Sequence, residues 1–339
     1  MVKMATNKWL ELTSEKRAGF NNTAGIKRGL PVEAIEKDWW VTMVLKALFC
    51  TSFAENMVFK GGTSLSKGWN LIERFSEDID LAIDRAMLGF GGELTKKRIK
   101  YLRRESGKYI RENVFTELAE QLNSLGIERQ FYTLTIQDPE MISNDPQTII
   151  LKYQSDYQRS PYITDAVKIE IGSRSLMEPH EPIKMRTIIA EEFPDTEFAD
   201  TETSIPTVIP QRTFLEKAFL LHEEFQKPEE SIRFERMSRH LYDLERLMDT
   251  DFAEKALKDL SLYKSIVNHR SKLTAISGID YSTHSPERIN FVPPTSTMEK
   301  WHNDYSSMQA SMIYGESLPF GKLIERIKEL NERFKKIRK

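Results

Sequence analysis

The sequence predicts an α+β fold, a mixed sheet flanked by helices and followed by a helical C-terminal domain. Three observations carry this. Apolar and polar residues alternate in short runs between residues 56 and 189, the period of half-buried strands. Stretches of helical period separate those runs. Past residue 211 the apolar stripes all have helical spacing. The expected division is 1–192 for the sheet-bearing domain with its N-terminal helices, 193–211 for a linker, and 212–339 for the helical domain.

Taken in order, Ile35, Trp39, Met43 and Ala47 give residues 33–49 a helical face. Cys50 follows, and reads as a small buried residue. As the only cysteine it excludes a disulfide framework and a cysteine-rich zinc site. "NMVFK" (56–60) is a short strand. Residues 63–73 read as a helix with Leu65, Trp69 and Ile72 on one side. "DIDLAI" (78–83) alternates cleanly and is a strand, and 94–125 is mostly helical. "RQFYTLTIQ", "TIILKYQ", "AVKIEIGS" (166–173) and "IKMRTII" (183–189) are strands. The acidic stretch with Pro194, Pro206 and Pro210 reads as linker or long loop. Beyond it, stripes begin at Phe214, Phe234 and Phe320, each on a helix.

Composition sets the class. With 40% hydrophobic and 29% charged residues, this is an ordinary globular protein. No apolar run approaches the roughly 20 residues that span a bilayer, and the N-terminus has no apolar signal-peptide core. The expectation is a cytoplasmic protein with no membrane partner. Net charge is −2, but unevenly placed: 96–112 and 322–339 are basic, and 190–203 is acidic with no Lys or Arg. Such segregation suits either a local nucleic-acid surface or the solvated faces of helices.

The chemistry lies in the acidic strands. Side chains alternate faces along a strand, so Ile79, Leu81 and Ile83 point one way and Asp78 and Asp80 the other. The two aspartates sit roughly 7 Å apart at Cα, close enough to converge on one cation. Unpaired carboxylates that close repel, and a divalent ion removes the cost. Mg²⁺ takes hard oxygen ligands, often one or two carboxylates plus substrate phosphates. In 166–173, Glu170 shares a face with Lys168, opposite Val167, Ile169 and Ile171, and is a candidate third acid. Two aspartates and a third acid suit a two-metal site for in-line phosphoryl displacement. Upstream, Gly61 and Gly62 let backbone approach a ligand, and Thr63 and Ser64 place hydroxyls at a helix start, where free N–H groups favour anions. Lys60 and Lys67 flank this turn as further phosphate candidates. Each fragment alone reads as a plain turn or a surface strand; their order makes the combination specific. The six histidines form no cluster in the sequence, and no Ser/His/Asp arrangement suggests hydrolysis.

"GGTSLSKGW…RFSEDIDL" resembles the AbiEii/AbiGii family of nucleotidyltransferase-like toxins, within the polymerase-β-like nucleotidyltransferase superfamily. "IEKDWWVTMVLKALF", "KIEIG", "TFLEKAFLLHEE", "RHLYDLERL" and "NDYSSMQASMIYG" extend the resemblance from about Ile35 to Gly315. It implies a polymerase-β-like mixed sheet and NTP-dependent nucleotidyl transfer. Gly62, Thr63 and Ser64 would contact phosphate, Asp78 and Asp80 would bind metal, and Glu170 would be the third acid. Lys217 would pair with the triphosphate and Asp243 would be the late catalytic acid. Arg239, four residues before Asp243, shares its helix face and is a further nucleotide-binding candidate. The resemblance also implies a bacterial toxin of a toxin–antitoxin or phage-defence pair, acting on tRNA or another RNA and controlled by a separately encoded antitoxin. Two other readings stand beside it: a nucleotidyltransferase of small molecules, and a non-catalytic NTP-binding toxin.

Overall fold

Alternation in Asp78–Ile83 builds the middle of a sheet: Asp78 and Asp80 stay partly open, while Ile79, Leu81 and Ile83 are buried, as is the small Ala82. The computed structural model describes residues 7–157, 163–174, 176–177 and 179–337. The last two residues of the basic C-terminal segment, and the first six of the chain, lie outside the described residues. The chain divides into two units: Met1–Gly68 with Phe75–Val208, and Trp69–Arg74 with Ile209–Lys339.

The first unit holds a seven-stranded mixed sheet. Its strands are β1 (Met57–Lys60), β2 (Asp78–Ile83), β3 (Tyr132–Ile136), β4 (Gln147–Tyr153), β5 (Ala166–Gly172), β6 (His180–Met185) and β7 (Thr203–Val208). They lie in the order β3-β4-β5-β2-β1-β7-β6. The β2–β5 and β1–β7 pairs are parallel and the others antiparallel. Helices α1 (Lys8–Glu11), α2 (Ser14–Arg28), α3 (Val32–Leu48), α4 (Gly61–Thr63), α5 (Lys96–Tyr109), α6 (Phe115–Ser124) and α7 (Ile188–Glu192) complete it. Phe59, Ile79, Leu81, Ile149, Val167, Ile169 and Ile171 line one sheet face and pack in one core with Trp39, Trp40 and Val44 of α3 and Leu118 and Leu122 of α6.

Helix α3 is buried on all sides from Ala34 to Leu48, so its charged residues must be partnered. Lys37 pairs with Glu77 at 2.5 Å and Asp38 with Lys67 at 2.6 Å. Lys46 pairs with Asp200, and Glu36 accepts from Ser155 Oγ and the Asp156 N–H.

The second unit is helical: α8 (Pro210–Glu224), α9 (Ser238–Leu247), α10 (Asp251–Lys258), α11 (Leu260–His269), α12 (Met298–Ser311) and α13 (Phe320–Lys335). Pro210 opens α8 at a position where no N–H is missed. Phe334 of α13 packs with Phe214 and Phe291, ring centroids 5.6 and 4.9 Å apart.

The mixed sheet with flanking helices and the helical C-terminal part agree with the expected fold class. Local differences are instructive. Residues 203–208, inside the stretch read as linker, form β7 between β1 and β6. Pro206 stands opposite Pro182 of β6, so the two missing donors coincide and the rest of the ladder survives. The strand expected over 183–189 stops at Met185, because Thr187 caps α7 by accepting from the Ala190 N–H at 3.0 Å. The helix expected over 63–73 ends at Gly68: α4 runs into a π-helical turn at Ser64–Gly68. Trp69–Arg74 then joins the second unit, where Trp69 meets Phe252 edge-on at 5.4 Å. Cys50 is exposed rather than buried, since it lies past the C-terminus of α3.

Candidate active site

On the sheet face opposite the core, strand register assembles a polar row. Lys60 of β1 stands beside Asp80 of β2, Asp80 beside Glu170 of β5, and Glu170 beside Thr148 of β4. One step along, Asp78 stands beside Lys168. All six side chains are partly exposed. Neighbouring strands are about 4.8 Å apart, so Asp80 has a cation on one flank and a second carboxylate on the other.

Lys168 answers that negative charge. Its Nζ lies 2.6 Å from Glu170 Oε1. Burial works against its ammonium, but Glu170, Asp78 and Asp80 outweigh this and hold its pKa above the ordinary lysine value. This field tests the implied metal. Asp78 and Asp80 are hard oxygen donors on one strand face, and together with Glu170 they already stabilise one cationic group. The donor set therefore fits a divalent ion held by the two aspartates. Among the described residues no three acidic, His or Cys side chains are grouped to hold a metal, and Glu170 is turned to Lys168.

The glycine turn is fitted to Asp80. Gly61 has φ +83°, and a β-carbon on it would lie 2.8 Å from Asp80 Cγ. Gly62, beside it, is partly exposed. The hydroxyls of the motif face inward. Thr63 Oγ1 donates to the carbonyl of Asp78 and lies 2.9 Å from Ser76 Oγ, while Ser64 Oγ donates to the carbonyl of Gly61 at 2.8 Å. Thr63 thereby clamps the turn to the start of β2, and Ser64 braces the turn from within. Lys67 is likewise committed, to Asp38 and the Arg186 carbonyl. Lys60 is different: among the described residues its ammonium makes no ion pair or side-chain hydrogen bond.

Lys217 and Asp243 meet within the second unit. Asp243, fully buried on α9, receives Arg74 Nε and a terminal Arg74 nitrogen at 2.7 Å each, and Lys217 Nζ of α8 at 2.7 Å. Burial alone would raise the Asp243 carboxyl, but Arg74 and Lys217 pull it far below the usual carboxylate range. Burial lowers the Lys217 pKa; Asp243 opposes this, and Arg74 and Arg239 add to it. Two buried cations thus share one carboxylate, with Arg239 adding to the positive field. Burial, with Lys217 and Arg239 near, keeps His240 neutral. Arg74 was not singled out in the sequence; its bidentate geometry on Asp243 depends on a segment far away in the chain. Nor did the sequence reveal that His222 and His284 meet, ring centroids 4.8 Å apart, with His284 beside Glu223.

The family model "Nucleotidyl transferase AbiEii toxin, Type IV TA system" matches residues 44–335. Among curated protein sequences no relative matches. Among solved structures, the chain is similar to MenT4, a nucleotidyltransferase toxin from Mycobacterium tuberculosis H37Rv, at 18% identity and a TM-score of 0.46, over 97% of this chain and 100% of that one.

Proposed function

The chain belongs to the AbiEii family of nucleotidyltransferase toxins of type IV toxin–antitoxin systems, and from that premise we propose that it transfers a nucleoside monophosphate from an NTP to the 3′ end of an RNA, foremost a tRNA. The observation that carries the reading is the setting of Asp80. Its carboxylate lies under the Gly61 backbone, between Lys60 and Glu170, on an open sheet face.

Asp78 and Asp80 would hold a Mg²⁺ ion, which when bound would supply Lewis-acid polarisation of the phosphate and offset the charge of the departing pyrophosphate. The chain's own groups do the rest. Thr63 and Ser64 hold the turn so that the Gly61–Gly62 backbone sits against Asp80. Lys60 offers an unengaged ammonium to phosphate oxygens. The acceptor hydroxyl oxygen bonds to the α-phosphorus, the bond to pyrophosphate breaks, and the hydroxyl proton passes to Glu170. Within the second unit, Lys217 and Arg239 are the nucleotide-binding residues that the family resemblance implies, and Asp243 with Arg74 orients Lys217. Such catalysis is positioning and charge stabilisation. A separately encoded antitoxin controls the protein in a phage-defence setting. Among the described residues no helix is long and apolar enough to cross a membrane.

The test uses purified protein, Mg²⁺ and each labelled NTP in turn, with and without total tRNA. Label should enter tRNA with the native protein and not with Asp80→Ala of unchanged melting temperature. Label in a small molecule without tRNA, or NTP binding with no pyrophosphate release, would overturn the RNA acceptor or the catalytic reading respectively.

A further inference from the structure

The two basic segments of the sequence differ once folded. On α13, Lys322 pairs with Glu325, Arg326 with Glu245, Asp249 and Glu329, Arg333 with Asp249 and Glu329, and Lys335 with Glu332. Most of that charge is answered locally. Helix α5 has six cations before its first acid, Glu105. Lys96, Lys97, Lys100 and Arg104 are exposed and make no ion pair among the described residues. At about 100° per residue these four, with Tyr101 and Arg103, fall within an arc of about 160°. Tyr101 is 51% exposed, an aromatic ring among cations. Arg103 has a buried Nε without a hydrogen-bond partner and feels the like charge of Arg174. Arg174 lies four residues past Glu170, just beyond β5.

We propose that this face of α5 docks the phosphate backbone of the acceptor RNA, with Tyr101 as a stacking platform for an unpaired base. The inference rests on the RNA-acceptor reading above. Unanswered lysines and arginines bind phosphates by releasing counterions, and exposed aromatics stack on bases without regard to sequence. A bilayer fits poorly, because Leu102 of this helix is buried and Ile99 is partly buried, which leaves no fully exposed aliphatic face to insert.

The experiment measures binding of labelled tRNA to the full chain by fluorescence anisotropy across NaCl concentrations. The variants are a quadruple (Lys96→Gln, Lys97→Gln, Lys100→Gln, Arg104→Gln), a charge control on α13 (Lys322→Gln, Lys335→Gln), Tyr101→Ala and Asp80→Ala. Thermal unfolding checks that each is folded. At about 0.7–0.9 per phosphate contact, the quadruple should flatten the slope of log affinity against log salt by about 3. The α13 control should leave it unchanged. Tyr101→Ala should weaken binding at unchanged slope. Asp80→Ala should lose nucleotide transfer yet bind tRNA like the native chain, which separates failure of docking from failure of the reaction. An unchanged slope in the quadruple, an equal loss in the α13 control, or no salt-dependent RNA binding by the native chain would overturn the proposal. Loss of antitoxin binding with RNA binding intact would overturn it in favour of a protein partner.

Discussion

A β-carbon at Gly61 would stand 2.8 Å from Cγ of Asp80 and 3.0 Å from its Cβ. The turn and the acid are therefore fitted to each other: β1 ends beside Asp80, and the next residue must lack a side chain for the carboxylate to keep its place. The positive φ at Gly61 adds a second demand for glycine.

Gly61→Ala should accordingly displace Asp80 and lower nucleotide transfer at least 100-fold. Gly89 is the control. It has nearly the same φ, +81°, but nothing lies within 4 Å of an added β-carbon. Gly89→Ala should cost about 1–2 kcal/mol of stability and leave transfer intact. Denaturant unfolding alongside labelled-NTP incorporation reads both; equal activity loss in the two variants would show that backbone strain, not Asp80, is responsible.

Lys168 competes with any cation for the acids of β2 and β5. Lys168→Met removes the ammonium beside Glu170 and should tighten Mn²⁺ binding by about tenfold, or about 1.4 kcal/mol. Electron paramagnetic resonance of free Mn²⁺ measures this without turnover. Unchanged affinity would mean that Lys168 does not oppose the metal.

The buried triad separates stability from activity. Asp243→Ala leaves Arg74 and Lys217 buried without their shared carboxylate and should destabilise the protein by about 3–5 kcal/mol. Lys217→Met keeps the bidentate Arg74–Asp243 pair. It should unfold near the native denaturant midpoint while losing nucleotide transfer. A severely destabilised Lys217→Met would make that lysine structural.

Glu36 provides a pH signature. Burial pushes its carboxyl up to about 7, although the Asp156 N–H and Ser155 hydroxyl favour the charged form. A folded pKa above the unfolded value of about 4.3 means the folded state holds the proton more tightly. The stability from this group is full below the unfolded pKa and is lost as pH rises toward 7. Glu36→Gln carries no such loss. Relative to the native chain, its stability should rise between pH 5 and pH 8, by an order of 3 kcal/mol at most. Parallel pH dependences would rule out Glu36 as the titrating group.

Residues a few positions apart were legible from the sequence, because strand and helix periodicities are local. The alternation in 78–83 and 166–172 assigned Asp78, Asp80 and Glu170 to one face and their apolar neighbours to the core. The glycine motif and the later helices were enough to identify the family. What depended on distant pairing was not legible. Register alone put Lys60, Asp80 and Glu170 in one row, and β7 arose from an acidic, proline-bearing stretch because β1 and β6 were there to pair with it. The hydroxyls of Thr63 and Ser64 turned inward, toward backbone carbonyls that only the folded turn supplies. Arg74 found Asp243 across 169 residues of chain. The two basic segments look alike in sequence, yet α13 folds beside Asp249 and Glu245, while among the described residues the first six cations of α5 make no ion pair. Local propensity sets which face a side chain takes; only the packed chain decides what stands opposite it, and for charged groups that partner decides their chemistry.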